Sequence, residues 1–172
     1  KVGIEAAIKA SDFAWTILRP SHYFQNDYWL KDALLGYGAY PQPLGDVGCS
    51  RVDVRDIGEA AAIALTSSGL EGETVPVVGP RDYTGRSAAE VWSRALGKPI
   101  QYAGQDLDAW EKQAAQMLPE WMAFDIREMY EFFGRQGLKS KPADVESVTR
   151  ILGRPPRTFE AFAAETAGVW KG

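Results

Sequence analysis

The chain has one cysteine, Cys49, and one histidine, His22. A lone cysteine excludes an internal disulfide and fits a reducing compartment, so a cytoplasmic location is the expectation. No apolar run is long enough to span a bilayer and no signal-peptide pattern opens the sequence, which begins with Lys1 rather than methionine. A Gly-x-Gly-x-x-Gly turn between a strand and a helix is also missing. The nearest approach, Gly36-Tyr37-Gly38, runs into Pro41 and Pro43 instead of a helix. An excess of basic charge is absent too: the net charge of -4 gives no support for nucleic-acid binding or for an anionic membrane.

What is present is enough apolar material for a packed core. With 172 residues, 45% of them hydrophobic, the chain is expected to form a single domain over 1–172, without internal repeats or low-complexity tracts.

Its organising stretch runs from Phe13 to Asn26. Phe13-Ala-Trp-Thr-Ile-Leu-Arg-Pro20 reads as a buried strand between the turn-prone Ser11-Asp12 and Pro20, which cannot donate to a ladder and must end it. In open α/β sheets ligands gather beyond the carboxyl ends of strands. Ser21, His22, Tyr23, Phe24 and Asn26 emerge there. His22 is the candidate general acid or base near neutral pH, against the alternative of a loop histidine that is solvated or bonded to backbone. Asn26 is expected to fix the loop through backbone hydrogen bonds.

The remaining pattern alternates helix and strand. Ile4, Ala7 and Ile8 mark a helical face before the Phe13 strand, and Tyr28 to Leu35 reads as a short helix anchored by Tyr28, Trp29 and Leu35. Val47 to Val52 is a strand. Asp53 then caps a helix, with Asp56 in the reciprocal capping position. Thr74 to Val78 is a strand that Pro76 confines to an edge or bulge, Thr84 caps a helix closed by Gly97, and Ile100 to Tyr102 is a short strand. From Asp106 to Phe133 the pattern is helical with a restart at Pro119. Its bulky residues, among them Trp110, Met117, Trp121 and Tyr130, serve as core, as a lid over a planar apolar substrate, or as a dimer interface. Two further helices follow, the last capped by Thr158.

Thr16-Ile-Leu-Arg-Pro20 with Phe24 and Asn26, Val52-Asp-Val-Arg-Asp-Ile57, Val78-Gly-Pro80, Ala95-Leu-Gly-Lys-Pro-Ile100 and Gly153-Arg-Pro-Pro-Arg-Thr-Phe159 occur in an order that resembles the NmrA-like, atypical short-chain dehydrogenase/reductases. The resemblance implies an α/β, partial Rossmann-like fold with a few mostly parallel strands and a helical substrate-side lobe. It also implies that the chain corresponds to the C-terminal half of such a protein, starting after the nucleotide-binding half. NADP or NAD is then the expected cofactor of the longer parent, bound poorly by this chain alone. Lys1 falls at the position of a lysine that contacts the nicotinamide ribose, the one expected catalytic residue. Cofactor contacts are expected from Pro20, Ser21, His22, Tyr23 and Phe24, and substrate contacts from Asn26, Tyr28, Trp110, Trp121 and Tyr130, with no metal.

Two functions fit this resemblance: the substrate-binding half of an oxidoreductase for a small carbonyl or quinone-like compound, or a non-catalytic dinucleotide sensor that binds partner proteins. Strands without their natural neighbours would leave an open sheet edge, which invites a homodimer.

Overall fold

The computed structural model describes residues 2–171. In chain order the elements are α1 (Val2–Lys9), β1 (Thr16–Pro20), β2 (His22–Tyr23), β3 (Ala39–Tyr40), β4 (Cys49–Val52), α2 (Val54–Thr66), β5 (Glu73–Val77) and β6 (Asp82–Tyr83). They continue with α3 (Gly85–Leu96), β7 (Gln101–Tyr102), α4 (Leu107–Ala114), α5 (Glu120–Gln136), α6 (Pro142–Leu152) and α7 (Phe159–Lys171). The fold is mixed α/β with three small sheets: β1 beside β5, the order β2-β4-β6, and β3 beside β7. Every pairing between these strands is parallel except β4 with β6.

β1 and β5 run from Thr16 opposite Glu73 to Pro20 opposite Val77. Pro76 is tolerated because β5 has a ladder on one side only among the described residues, the edge position that a missing N–H requires. β1 is likewise paired on one side only. This corrects the expectation of a buried strand from Phe13: the strand starts at Thr16, its residues are half-buried or exposed, and Phe13 is 63% exposed. A strand with one neighbour cannot cover both its edges. α1 is also poorly covered, with Ile4 67% exposed and Glu5 reaching across to Arg19 of β1.

Beyond Pro20 the chain changes sheets. Ser21 N–H still donates to the Val77 carbonyl at 3.0 Å, and then His22 and Tyr23 pair with Arg51 and Val52 of β4. The expected helix over Tyr28 to Leu35 is instead a 3₁₀ helix over Phe24–Leu30 followed by a π-helical turn over Ala33–Tyr37. The reason lies in the spacing. Phe24, Asp27 and Leu30 recur every third residue and face inward, matching three residues per turn, so Tyr28 and Trp29 turn outward and do not anchor the segment. Gly38 ends the π turn at φ +63°, where side chains with a Cβ are strained.

The larger core lies between α3, α5, α7 and the 24–44 segment. Thr84 accepts the Ser87 N–H at the start of α3 and Ser87 returns the bond, while Gly97 closes the helix in the left-handed region. Trp92 on α3 stacks on Trp170 of α7 at 5.1 Å and meets Phe159 and Phe162 edge-on. A smaller core joins β5 to α2 and α6 through Val52, Ala60, Val75, Val77, Val148 and Leu152. Asp53 caps α2 as expected, accepting the Arg55 N–H at 2.9 Å. Asp56 does not close a reciprocal box. Fully buried, it receives the Arg157 N–H at 2.7 Å and the guanidinium groups of Arg154 and Arg157, which moor the 153–157 turn to α2.

Candidate functional site

β1 and β5 end side by side, and the 21–28 segment leaves their carboxyl ends as a wall. Pro20 is exposed, Ser21 is half-buried, and Tyr23 and Tyr28 present their rings outward while Tyr28 also packs on Phe162 at 5.5 Å. The Ser21 hydroxyl is buried without a hydrogen-bond partner. Gln25 pins the wall to α2: its amide nitrogen donates to Asp53 at 3.0 Å and its oxygen accepts the Val54 N–H at 3.0 Å.

Behind the wall lies a buried charged network. Arg51 of β4 donates from Nη2 to Asp27 Oδ1 at 2.7 Å, and both side chains are 0% exposed. Trp92 Nε1–H donates to Asp27 Oδ2 at 2.8 Å, and Tyr40 Oη lies 3.1 Å from Arg51 Nη1. The guanidinium also donates to the Tyr23 carbonyl at 3.0 Å and lies 4.4 Å from the centre of the Phe159 ring. Burial alone would favour the neutral guanidine. The facing Asp27 and Tyr40 outweigh it, so Arg51 is held more firmly charged than in water.

His22 belongs to this network. Arg51 Nε–H donates to His22 Nδ1 at 3.2 Å, so Nδ1 must be the unprotonated nitrogen and Nε2 carries the hydrogen. Asn26 lies 3.1 Å from Nε2, and the contact is satisfied when its amide oxygen turns to accept that N–H. Burial first, and the Arg51 charge second, drive the His22 pKa well below the usual imidazole range. The ring is therefore a neutral structural hydrogen-bonding group at neutral pH, which corrects the acid/base candidacy. Asn26, expected to fix the loop through backbone hydrogen bonds, meets the His22 ring with its side chain instead.

The other expected contacts divide by burial. Phe24 is fully buried between Phe159 and Phe162, so its side chain supports the wall and does not face a cofactor. Tyr130 is interior and meets the Trp110 ring edge-on at 5.0 Å and the His22 ring at 6.4 Å. Desolvation pushes its phenol far above the ordinary tyrosine value, so it stays protonated. Its bulk is core, not substrate surface. Trp110 is half-buried against it, whereas Trp121 stands 65% exposed on α5 with Met117, Phe124 and Phe132 also exposed nearby in sequence. Lys1 lies outside the described residues.

Sequence reasoning passed over Asp27, Tyr40, Arg51 and Trp92. One signal was available: Arg51 is a lone charge inside the short strand Cys49–Val52, and a charge there must be paired.

Gly36 and Gly38 lie in and after the π turn that leads to β3, not between a strand and a helix. Among the described residues no group of three His, Cys, Asp or Glu side chains is placed to hold a metal ion, and no helix is long and apolar enough to cross a membrane.

Mostly parallel strands, a segment that leaves their carboxyl ends and a helical lobe define a Rossmann-like α/β architecture. Within that class the chain belongs to the NmrA-like family, which matches residues 1–163. It is 32% identical over 164 residues to the NAD(P)H azoreductase of Xenophilus azovorans, covering 95% of this chain and 56% of that protein. It is 31% identical over 163 residues to the (4-alkanoyl-5-oxo-2,5-dihydrofuran-3-yl)methyl phosphate reductase of Streptomyces griseus, covering 95% and 57%. The fold matches that of the NADPH-dependent quinone oxidoreductase of Escherichia coli solved with NADPH, with a TM-score of 0.84, 21% identity, and 99% of this chain superposed on 58% of that one. The chain thus spans about half the length of the curated relatives it matches.

Proposed function

We propose that this chain is the substrate-side part of an NAD(P)H-dependent oxidoreductase of the NmrA-like family, acting on a small carbonyl or quinone-like compound. The observation that carries the reading is a wall that is built on one side only. The 21–28 segment is pinned from behind by Arg51 and from the flank by Gln25, yet among the described residues β1 beside it has an unpaired edge and α1 leaves Ile4 uncovered. Further strands supplied by upstream sequence would cover both and bring the dinucleotide, which carries the hydride when bound. The two relatives named as reductases, one of them an NAD(P)H azoreductase, are each nearly twice as long as the match and support the same reading.

Within it, the chain's own residues shape and dry the acceptor side. Tyr23 and Tyr28 offer aromatic faces to a planar acceptor, and Trp121 with Phe124 on α5 offers a further apolar face that a closing lid would use. His22 takes no proton in this scheme. Lys1 would hold a bound hydroxyl through its ammonium group, a role that comes from the family resemblance. The second occupant of a free β1 edge, another copy of the chain, would show as a dimer by sedimentation.

The test is turnover by the polypeptide extended upstream of Lys1. NADPH or NADH oxidation that depends on added p-benzoquinone supports the reading. A folded extended polypeptide that oxidises neither cofactor with quinone, azo or carbonyl acceptors overturns it in favour of a dinucleotide sensor.

A further inference from the structure

We propose that Arg51 is a positioning residue whose guanidinium fixes the ligand-side wall in its working shape before any ligand arrives. The proposal rests on reading the 21–28 segment as that wall.

One planar group makes four kinds of contact, three of them to a single short stretch of chain: Nε to His22 Nδ1 at 3.2 Å, Nη2 to the Tyr23 carbonyl at 3.0 Å, and Nη2 to Asp27 Oδ1 at 2.7 Å. The fourth, Nη1 to Tyr40 Oη at 3.1 Å, ties it to the core beneath. Five donors held in one plane dictate where three acceptors in residues 22–27 must lie, which an ammonium on a flexible stem cannot do.

Stability does not account for this arrangement. Removing two charges from water costs about as much as their attraction returns, and apolar side chains of the same volume hold a core at least as well. What only the guanidinium supplies is geometry. It acts in a segment whose backbone is otherwise weakly specified, because a 3₁₀ helix has poorer hydrogen bonds than an α-helix and β2 is two residues long. The guanidinium is also held from the α7 side, where its carbon lies 4.4 Å from the centre of the Phe159 ring. The wall therefore inherits its position from the rigid β4 and α7 side of the domain, and a ligand that binds it does not have to order it.

Amide hydrogen exchange of the ligand-free chain tests this, with Arg51→Lys as the variant and NADPH titration of the upstream-extended polypeptide as the second readout. In the unsubstituted chain, amides 23–28 are expected to exchange as slowly as those of α3. In Arg51→Lys they should exchange at least about tenfold faster while α2 and β5 change less than about twofold, a local opening and not a global one. NADPH affinity of the extended Arg51→Lys polypeptide should fall by about tenfold or more.

Fast exchange at 23–28 in the unsubstituted chain, or equal acceleration throughout a folded Arg51→Lys chain, overturns the proposal. Exchange needs no ligand, so these outcomes stand whatever reaction the protein performs. Local loosening with unchanged NADPH affinity overturns the positioning role and leaves the oxidoreductase reading intact. Absence of NADPH binding by the unsubstituted extended polypeptide would fail that reading instead.

Discussion

Arg51 Nη2 and Asp27 Oδ1 are 2.7 Å apart with neither side chain exposed, 24 residues apart in sequence and joined behind the 21–28 segment. The pair explains why a strand as short as Cys49–Val52 can tolerate a charge at its third position. It also makes the two residues unequal to any surface ion pair in what their loss would do.

Removing one partner leaves the other charged and buried. Asp27→Ala is expected to destabilise the chain by about 3–5 kcal/mol, and Asp27→Leu with Arg51→Met by much less, because no unpaired charge remains. Urea denaturation followed by tryptophan fluorescence measures both. A double variant as unstable as the single one would contradict this account of the pair.

His22 sets a direction for acid stability. Its folded pKa is depressed, by burial and then by Arg51, from an ordinary value of 6.5. The unfolded state therefore binds the proton first. The contribution of His22 to stability is complete above pH ~6.5 and is lost progressively as pH falls below it towards the depressed folded value. His22→Gln should flatten the stability curve in that window, which opens above the carboxylate range where Asp53 and Glu59, both lowered, begin to act. The imidazole proton signals of the folded chain should not titrate between about pH 6 and 8. A midpoint near 6.5 would contradict the buried network.

Gly79 sits where the chain leaves β5, and a Cβ there would run into the Arg51 carbonyl oxygen with Phe24 close behind. The obstacle is backbone of β4, which has no room to give. Gly79→Ala is expected to cost about 3 kcal/mol or more, whereas an alanine at Gly58, inside α2 with nothing within 4 Å, should stabilise the chain by about 0.5–1 kcal/mol. Thermal melts of the two variants give the comparison.

Cys49 is buried beside Arg51, and burial pushes its thiol pKa up to about 12. Despite the nearby positive charge, the thiolate fraction at pH 8 is negligible. Reaction with an aromatic disulfide reagent should therefore track unfolding, being slow in buffer and rapid in denaturant. Fast modification of the folded chain would show that the core around β4 opens.

Much of the fold could be read from local chemistry. Thr84 before α3, Asp53 before α2 and Gly97 after α3 are short-range devices, and each stands where the pattern puts it, while Pro119 precedes α5 as its N-cap and does not lie in its first turn. The errors fall where distant partners decide. Phe13-Ala-Trp is apolar enough for a buried strand, but burial needs a second neighbouring strand that the described residues do not supply. Asp56 has capping chemistry, yet Arg154 and Arg157, about a hundred residues on, take its carboxylate. The end of β1 at Pro20 and the departure of the 21–28 segment from it were legible in the sequence. The buried network was not, because nothing local links Asp27, Arg51 and Trp92. His22 looked catalytic only while its partner was out of sight.

The most direct measurement of the central claim is a titration with NADPH and NADH, following tryptophan fluorescence, of this chain and of the polypeptide extended upstream of Lys1. The account predicts no saturable quenching for the 172-residue chain and saturable micromolar binding once upstream sequence is present. Saturable micromolar binding by the chain alone would contradict it.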